Sequence, residues 1–139
     1  MIVLDTNVIS ELMRPQPHPQ VLAWVDGLDP ARVAITAMNE AEILHGIARL
    51  PHGRRKRSLQ QSWDELVPAI FAGRVWPFCS EAAHWYADLL SARERLARPM
   101  ATADAVIAAT ALAHGAQLAT RDVADFADLG LDLINPWEC

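Results

Sequence analysis

The chain has 139 residues, 52% of them hydrophobic and 21% charged, and its 12 basic and 17 acidic side chains give a formal net charge of −5. This length suits one domain over residues 1–139, and the hydrophobic share can fill a core, which excludes a disordered chain. The acidic balance argues against a protein that binds nucleic acid through bulk positive charge, because such domains are usually basic.

Short β-branched runs alternate along the chain with longer segments of helical spacing or propensity. The predicted strands are 2–4, 33–35, 75–78, 118–119 and 131–134. The predicted helices are 8–13, 20–28, 37–50, 54–71, 81–96 and 103–114. Strands separated by helices imply right-handed crossovers and an α/β fold. We expect a three-layer sandwich with a central, mainly parallel sheet of about five short strands flanked by helices.

The apolar runs and the first residues of the chain predict a cytoplasmic protein. No apolar run reaches the roughly 18 residues of a membrane span, and no basic region precedes an apolar stretch at the first residues, as in a secretory leader. Cys79 and Cys139 form no C-x-x-C pair. We therefore expect a buried thiol and a free one, not a disulfide or a zinc site.

Acidic residues cluster after the predicted strands, at the sheet edge where ligands bind in such folds. They are Asp5 after the first strand, Glu40 and Glu42 in the helix after the second, Asp104 at the start of the last helix, and Asp122 and Asp125 after the fourth strand. Four separate segments therefore bring carboxylates toward one edge of the sheet.

Most of these acids also have an ordinary structural explanation. Asp104 would lie in the first turn of a helix capped by Thr102, where a carboxylate contributes about 0.3–1 kcal/mol against the helix dipole. Asp122 would itself cap a helix, with Asp125 three residues further on. Asp5 is harder to explain in this way, because it ends the most apolar strand and a buried carboxylate needs a partner.

Taken together, the acids predict a cation site. Carboxylates about 5 Å apart repel by roughly 3 kcal/mol per pair at an effective dielectric constant of 20, and stay ionised only around a cation or a basic group. Oxygen ligands favour Mg²⁺ or Mn²⁺, whose substrates are typically phosphate esters, and the scattered histidines and cysteines argue against zinc. Helical spacing leaves open whether Glu40 or Glu42 joins the site, although Glu40 lies nearer to the apolar stripe of its helix.

Motifs of other enzyme classes are missing from the sequence. It has no dinucleotide-binding, P-loop, zinc-protease or α/β-hydrolase signature. A phosphoacceptor receiver domain shares the size, the sheet and an acidic cluster, but it uses a lysine at the end of a late strand. The only lysine here, Lys56, lies in a helical segment. A non-enzymatic binding module of the same fold is the other alternative.

One set of stretches is LDTNVIS (4–10), AE (41–42), ADAVIAATA (103–111) and ATRD (119–122). A second set is RPQP (14–17), FAGR (71–74) and NPW (135–137). The first set resembles PIN-domain ribonucleases, and among these the toxins of VapBC toxin–antitoxin systems, and the second is similar to the FitB-like branch of these toxins. The resemblance covers essentially the whole chain and implies a PIN-like fold.

The resemblance also implies a site. It assigns catalysis and metal binding to Asp5, Glu42, Asp104 and Asp122, and so selects Glu42 over Glu40. It gives supporting roles to Thr6, Asn7, Thr120 and Asp125. The implied activity is hydrolysis of RNA phosphodiester bonds by metal-activated water, with Mg²⁺ or Mn²⁺ as the cofactor.

The same resemblance implies partners. Toxins of this kind pair with a small VapB- or FitA-like antitoxin, form homodimers and larger toxin–antitoxin complexes, and reach promoter DNA only through the antitoxin. Candidate contacts with RNA or antitoxin are Arg54, Arg55, Lys56, Arg57 and Arg121, although a solvated helix face also explains the run 54–57.

Overall fold

The computed structural model of the protein describes residues 1–139. Its strands are β1 (Ile2–Leu4), β2 (Val33–Thr36), β3 (Val75–Trp76), β4 (Gln117–Ala119) and β5 (Leu133–Ile134). Its helices are α1 (Thr6–Leu12), α2 (Pro19–Asp26), α3 (Ala37–Ala48), α4 (Arg54–Leu66), α5 (Ser80–Arg95) and α6 (Thr102–Ala113). Short 3₁₀ turns cover Pro30–Arg32 and Val123–Phe126.

The five strands form one parallel sheet in the order β3-β2-β1-β4-β5. In the central strand β1, Val3 lies opposite Ala34 of β2, and Leu4 lies opposite Ala119 of β4. The predicted α/β class and parallel sheet are therefore confirmed. Because β1 is central, Asp5 lies in the middle of the carboxyl edge of the sheet.

Two apolar clusters cover the two faces of the sheet. The side chains of β1 alternate between them, since Ile2 and Leu4 belong to one cluster and Val3 to the other. On the face of Val3, the alanine-rich helix α6 buries every residue from 105 to 111. A helix this deeply packed holds its first turn, which carries Asp104, in a fixed position relative to the sheet.

Some predicted boundaries are wrong. The helix predicted over 54–71 ends at Leu66, and the chain continues as a wider π-helical turn, Val67–Phe71. Pro68 lies in that turn, and proline has no N–H for the regular helical hydrogen bond. The strands predicted over 75–78 and 131–134 are shorter, and Cys79, which was expected to be buried, is exposed.

None of the helices combines the length and the hydrophobicity that a membrane span requires.

Candidate active site

Asp5 occupies the centre of the candidate site. It precedes α1, and its Oδ1 accepts a hydrogen bond from the backbone N–H of Thr6 at 2.8 Å, which caps the helix. Its Oδ2 accepts from the Thr120 hydroxyl at 2.7 Å and from the Asn7 amide at 3.3 Å. The residue is only 5% exposed. The predicted buried carboxylate is thus held by three donors.

Burial sets the protonation behaviour of Asp5. Desolvation raises the pKa of its carboxyl above the ordinary value, and the hydrogen bonds from Thr120 and Thr6 only partly offset this. The nearby charges of Glu42 and Asp122 raise the pKa further. Asp5 therefore lies close enough to Glu42 and Asp122 for their charges to act on its carboxyl group.

The side chain of Asn7 connects the first and the fourth acidic segments. Its Nδ2 lies 3.3 Å from Thr120 Oγ1 and 3.1 Å from Asp122 Oδ2, in addition to its contact with Asp5. The Thr120 hydroxyl, which donates to Asp5, also accepts the backbone N–H of Asp122 at 3.0 Å. Asn7 and Thr120 together fix the spacing between Asp5 and Asp122.

A hydrogen-bonded chain leads from the start of α3 to Glu42. Thr36 and Asn39 form a capping box there, and Asn39 is fully buried. The Asn39 amide donates to the Thr6 hydroxyl at 3.0 Å, and this hydroxyl donates to Glu42 Oε1 at 2.7 Å. Thr6 therefore directs the exposed side chain of Glu42 toward the first acidic segment, whereas Glu40 takes no part in this network.

Asp104 lies in the first turn of α6. The expected cap by Thr102 is wrong, because Thr102 is already a helical residue and the cap position, Ala101, has no side-chain hydrogen bond to offer. The pKa of Asp104 is raised to about 6, first by partial burial and then by the charges of Asp5, Asp125, Glu42 and Asp122. Acids from four segments therefore share one electrostatic environment.

A cleft of about 730 Å³ opens over these acids. It is lined by all four predicted catalytic acids and by Thr6 and Asn7. Further lining residues are the acid Glu11, the arginines Arg14, Arg55 and Arg121, and the larger apolar side chains Met13, Ile43, Ile47, Leu59 and Trp137. The acids of the cleft are thus surrounded by basic and apolar side chains.

The predicted site residues that do not line this cleft are Thr120, Asp125 and three members of the basic run. Thr120 is buried beneath it, and Asp125 is exposed on the 3₁₀ turn after Asp122, from which its charge still reaches Asp104. Of the basic run, Arg54 lines neither hollow, while Lys56 and Arg57 line a smaller one of about 290 Å³ with His52 and Gln60. Only Arg55 of the run therefore faces the acids.

Sequence reasoning missed Glu11 and Arg14. Glu11 is buried and accepts hydrogen bonds from Arg14 at 3.3 Å and from the backbone N–H of His18 at 3.2 Å. Glu11 follows Asn7 by four residues, which is the spacing of one helix face, and Arg14 comes shortly after the end of α1. That spacing was the signal available in the sequence.

The donor set fits a divalent cation chemically, although the site is not preassembled. No group of three or more His, Cys, Asp or Glu side chains converges closely enough to hold a metal ion in this arrangement. Carboxylate oxygens are nevertheless the ligands that Mg²⁺ takes. Burial first, and then the charges of neighbouring acids, raise the pKa values of Asp5 and Asp104, and a bound cation would offset both effects. Glu42 and Asp122 are exposed and can change rotamer toward it.

Comparisons with known proteins extend over the segments that carry all four acids. The PIN domain family matches residues 2–130. The VapC ribonuclease Y4jK of Sinorhizobium fredii is 46% identical over 139 residues, 99% of each chain. Toxin FitB of Neisseria gonorrhoeae is 41% identical over 137 residues, again 99% of each chain. The crystal structure of FitAcB from Neisseria gonorrhoeae superposes with a TM-score of 0.91 at 40% identity, covering 100% of both chains. FitAB bound to a DNA fragment superposes with a TM-score of 0.90 at 41% identity, over 99% of this chain and 96% of that one.

Proposed function

The chain belongs to the PIN-domain family, and on this premise we propose that it is the toxin of a toxin–antitoxin pair, a metal-dependent endoribonuclease that hydrolyses RNA phosphodiester bonds. The observation that carries this function is the meeting of Asp5, Glu42, Asp104 and Asp122 in one cleft. A non-catalytic binding module has no need to hold four carboxylates together against their mutual repulsion. A receiver domain is disfavoured because Lys56 lies on α4, where its Nζ donates to the Ala48 carbonyl at 3.3 Å.

Mg²⁺ or Mn²⁺ is the proposed cofactor, with Asp5, Asp104, Asp122 and Glu42 as its ligands. When bound, such an ion lowers the pKa of water and stabilises charge on the phosphate and the leaving oxygen. Asp5 is held in place for this task by the Thr6 N–H and the Thr120 hydroxyl. Asn7 keeps Asp122 at a set spacing from Asp5.

Glu42 is the acid best placed to orient the attacking water. It is exposed to the cleft, and its Oε1 accepts from Thr6, so its Oε2 is free to accept a proton from water. Asp5, by contrast, is buried and already accepts three hydrogen bonds. The two carboxylates therefore suit different roles, Asp5 as an anchor and Glu42 as the group that meets solvent.

The arginines of the cleft suit a polyanionic substrate. Arg55 and Arg121 have no carboxylate partner, since the two ion pairs of the chain are Arg14–Glu11 and Arg98–Asp128. Two unneutralised guanidinium groups beside an acidic floor attract phosphates on either side of the one being cleaved. This supports Arg55, with its neighbours in the run 54–57, and Arg121 as contacts for RNA or antitoxin.

A VapB- or FitA-like antitoxin is the proposed protein partner. Two solved structures similar to this chain are FitAcB and FitAB bound to a DNA fragment, and both match it over almost its full length. We expect a homodimer, larger toxin–antitoxin assemblies that reach promoter DNA through the antitoxin, and action in the cytoplasm. Failure of the neighbouring gene product to co-elute with this chain would contradict the partnership.

Cleavage of single-stranded RNA by the purified protein tests the proposed function. Mg²⁺ or Mn²⁺ should support cleavage, and EDTA or the substitution Asp5→Asn should abolish it. The matched control is Asp88→Asn, which changes an exposed acid of α5 outside the cleft. Undiminished cleavage by Asp5→Asn would refute the function.

A further inference from the structure

Trp137 is the one aromatic side chain that lines the acidic cleft. It follows β5 near the end of the chain, whereas the acids belong to the segments around β1, α3, α6 and β4. The guanidinium carbon of Arg121 lies over its indole ring, 5.0 Å from the ring centroid, which is within cation–π range. A flat aromatic group and a flat cation therefore meet at the rim of the acidic site.

Trp137 is held in place but not fully buried. Its backbone N–H donates to Asn135 Oδ1 at 3.0 Å, and its ring packs on the edge of the apolar cluster that contains Trp63. Trp63 is 5% exposed and has only a packing role, whereas Trp137 is half-buried and faces the cleft. An anchored, half-buried ring at the cleft can take part in binding a ligand with little loss of entropy.

Arg121 is connected to the acids by a backbone hydrogen bond and not by an ion pair of its side chain. Its N–H donates to Asn7 Oδ1 at 3.3 Å, and the same Asn7 side chain contacts Asp5 and Asp122. The guanidinium forms no ion pair, although Asp122 is the next residue in the chain. Arg121 is exposed, so its charge and the guanidinium face turned away from Trp137 are available to a bound molecule.

We infer that Arg121 and Trp137 form a stacking subsite for one unpaired base of the RNA substrate, next to the bond that is cleaved. Proteins that bind single-stranded RNA stack splayed bases on aromatic rings and on arginine planes. A phosphate alone would not need the indole ring, and an apolar peptide would not need the arginine. The inference rests on the proposed ribonuclease function and makes the C-terminal segment part of the substrate site.

The test combines base deletion in the RNA with substitution in the protein. A cleavable single-stranded oligonucleotide is prepared in versions that each lack one base, and KM and kcat are measured for each. For the wild-type protein, KM should rise about 10-fold when the missing base is at one position beside the cleaved bond, and kcat should change little. Trp137→Ala should show the same rise in KM on intact RNA, and no further rise on the RNA that lacks the base at that position.

Conservative variants separate stacking from folding. Trp137→Phe should keep the sensitivity to the missing base, and Arg121→Lys, which retains charge without the planar group, should lose part of it. Matched controls are Trp85→Ala and Arg95→Ala, which change exposed side chains of α5 outside the cleft. Both controls should behave as wild type.

Three results would overturn the subsite. One is wild-type kinetics for Trp137→Ala, and another is a loss spread evenly over all abasic positions, which indicates a structural role. The third is a Trp137→Ala protein that binds the antitoxin more weakly but cleaves RNA with unchanged kinetics, which assigns the surface to the protein partner. In all three the wild-type protein still cuts RNA, so the proposed function survives. A wild-type protein that neither cuts nor binds the oligonucleotide refutes both.

Discussion

Replacing Asp104 by asparagine should stabilise the metal-free protein at neutral pH. The carboxylate is partly buried among other acids, and asparagine has almost the same shape without the charge. The pKa of Asp104 rises from the ordinary 3.8 to about 6 in the folded protein. The folded state therefore binds the proton more tightly than the unfolded chain, and the ionised carboxylate opposes folding.

The sign and size of the effect follow from this rise in pKa. The destabilisation is absent below about pH 4, grows between about pH 4 and pH 6, and is complete above. The full shift corresponds to about 3 kcal/mol, and solvent screening of this partly exposed group reduces it to about 1 kcal/mol. For a domain of this size, the melting temperature should rise by about 3 °C.

Urea unfolding in EDTA at pH 4 and pH 7.5 measures the effect. Asp104→Asn should match the wild type at pH 4 and exceed it at pH 7.5, while the control Asp88→Asn should show no such difference. Equal gains at both pH values, or a less stable variant at pH 7.5, would refute the electrostatic reasoning.

Four further predictions concern the surroundings of the acids. Mg²⁺ should raise the melting temperature of the wild type, and Asp104→Asn should lose most of this shift; equal shifts would argue against Asp104 as a ligand. In urea unfolding, Thr120→Val should lower the free energy of unfolding by about 1–3 kcal/mol, because Asp5 loses a donor, whereas Thr120→Ser should preserve it. Thr6→Val should slow cleavage, because Glu42 loses its contact, and should also lower the free energy of unfolding by about 1–3 kcal/mol, because the buried Asn39 amide loses its acceptor; an unchanged cleavage rate would show that the contact does not position Glu42. Replacing the basic residues 54–57 by glutamate should weaken RNA binding more at low salt than at high salt. An unchanged dependence of RNA affinity on salt concentration would assign the run to a solvated helix face.

Sequence reasoning predicts the fold well where the pattern is local. The central strand β1 has the predicted bounds, because its three apolar residues are followed by Asp5, a charged residue that caps α1. The positions of Asp5 and Asp122 follow from the rule that parallel strands end at one edge. The extent of a single domain over 1–139 stays a prediction.

Other features depend on contacts that the sequence does not show. Glu40 lies nearer to the apolar stripe of α3 than Glu42, but Ile43 and Ile47 of that stripe also line the cleft, so Glu42, adjacent to Ile43, reaches the acids. Resemblance to a family, and not periodicity, selects Glu42, the one of the two that lines the cleft. The approach of Trp137 to Arg121 joins residues 16 positions apart across β5, and no local pattern encodes it.

Cleavage rates of four single variants test the central claim most directly. Against one RNA at saturating Mg²⁺, we expect Asp5→Asn, Glu42→Gln, Asp104→Asn and Asp122→Asn each to lose about 100-fold or more. Glu40→Gln, which removes an acid two residues from Glu42 on the same helix, should cleave at the wild-type rate. Full activity in any of the four variants, or inactivity of Glu40→Gln with activity of Glu42→Gln, would contradict the account.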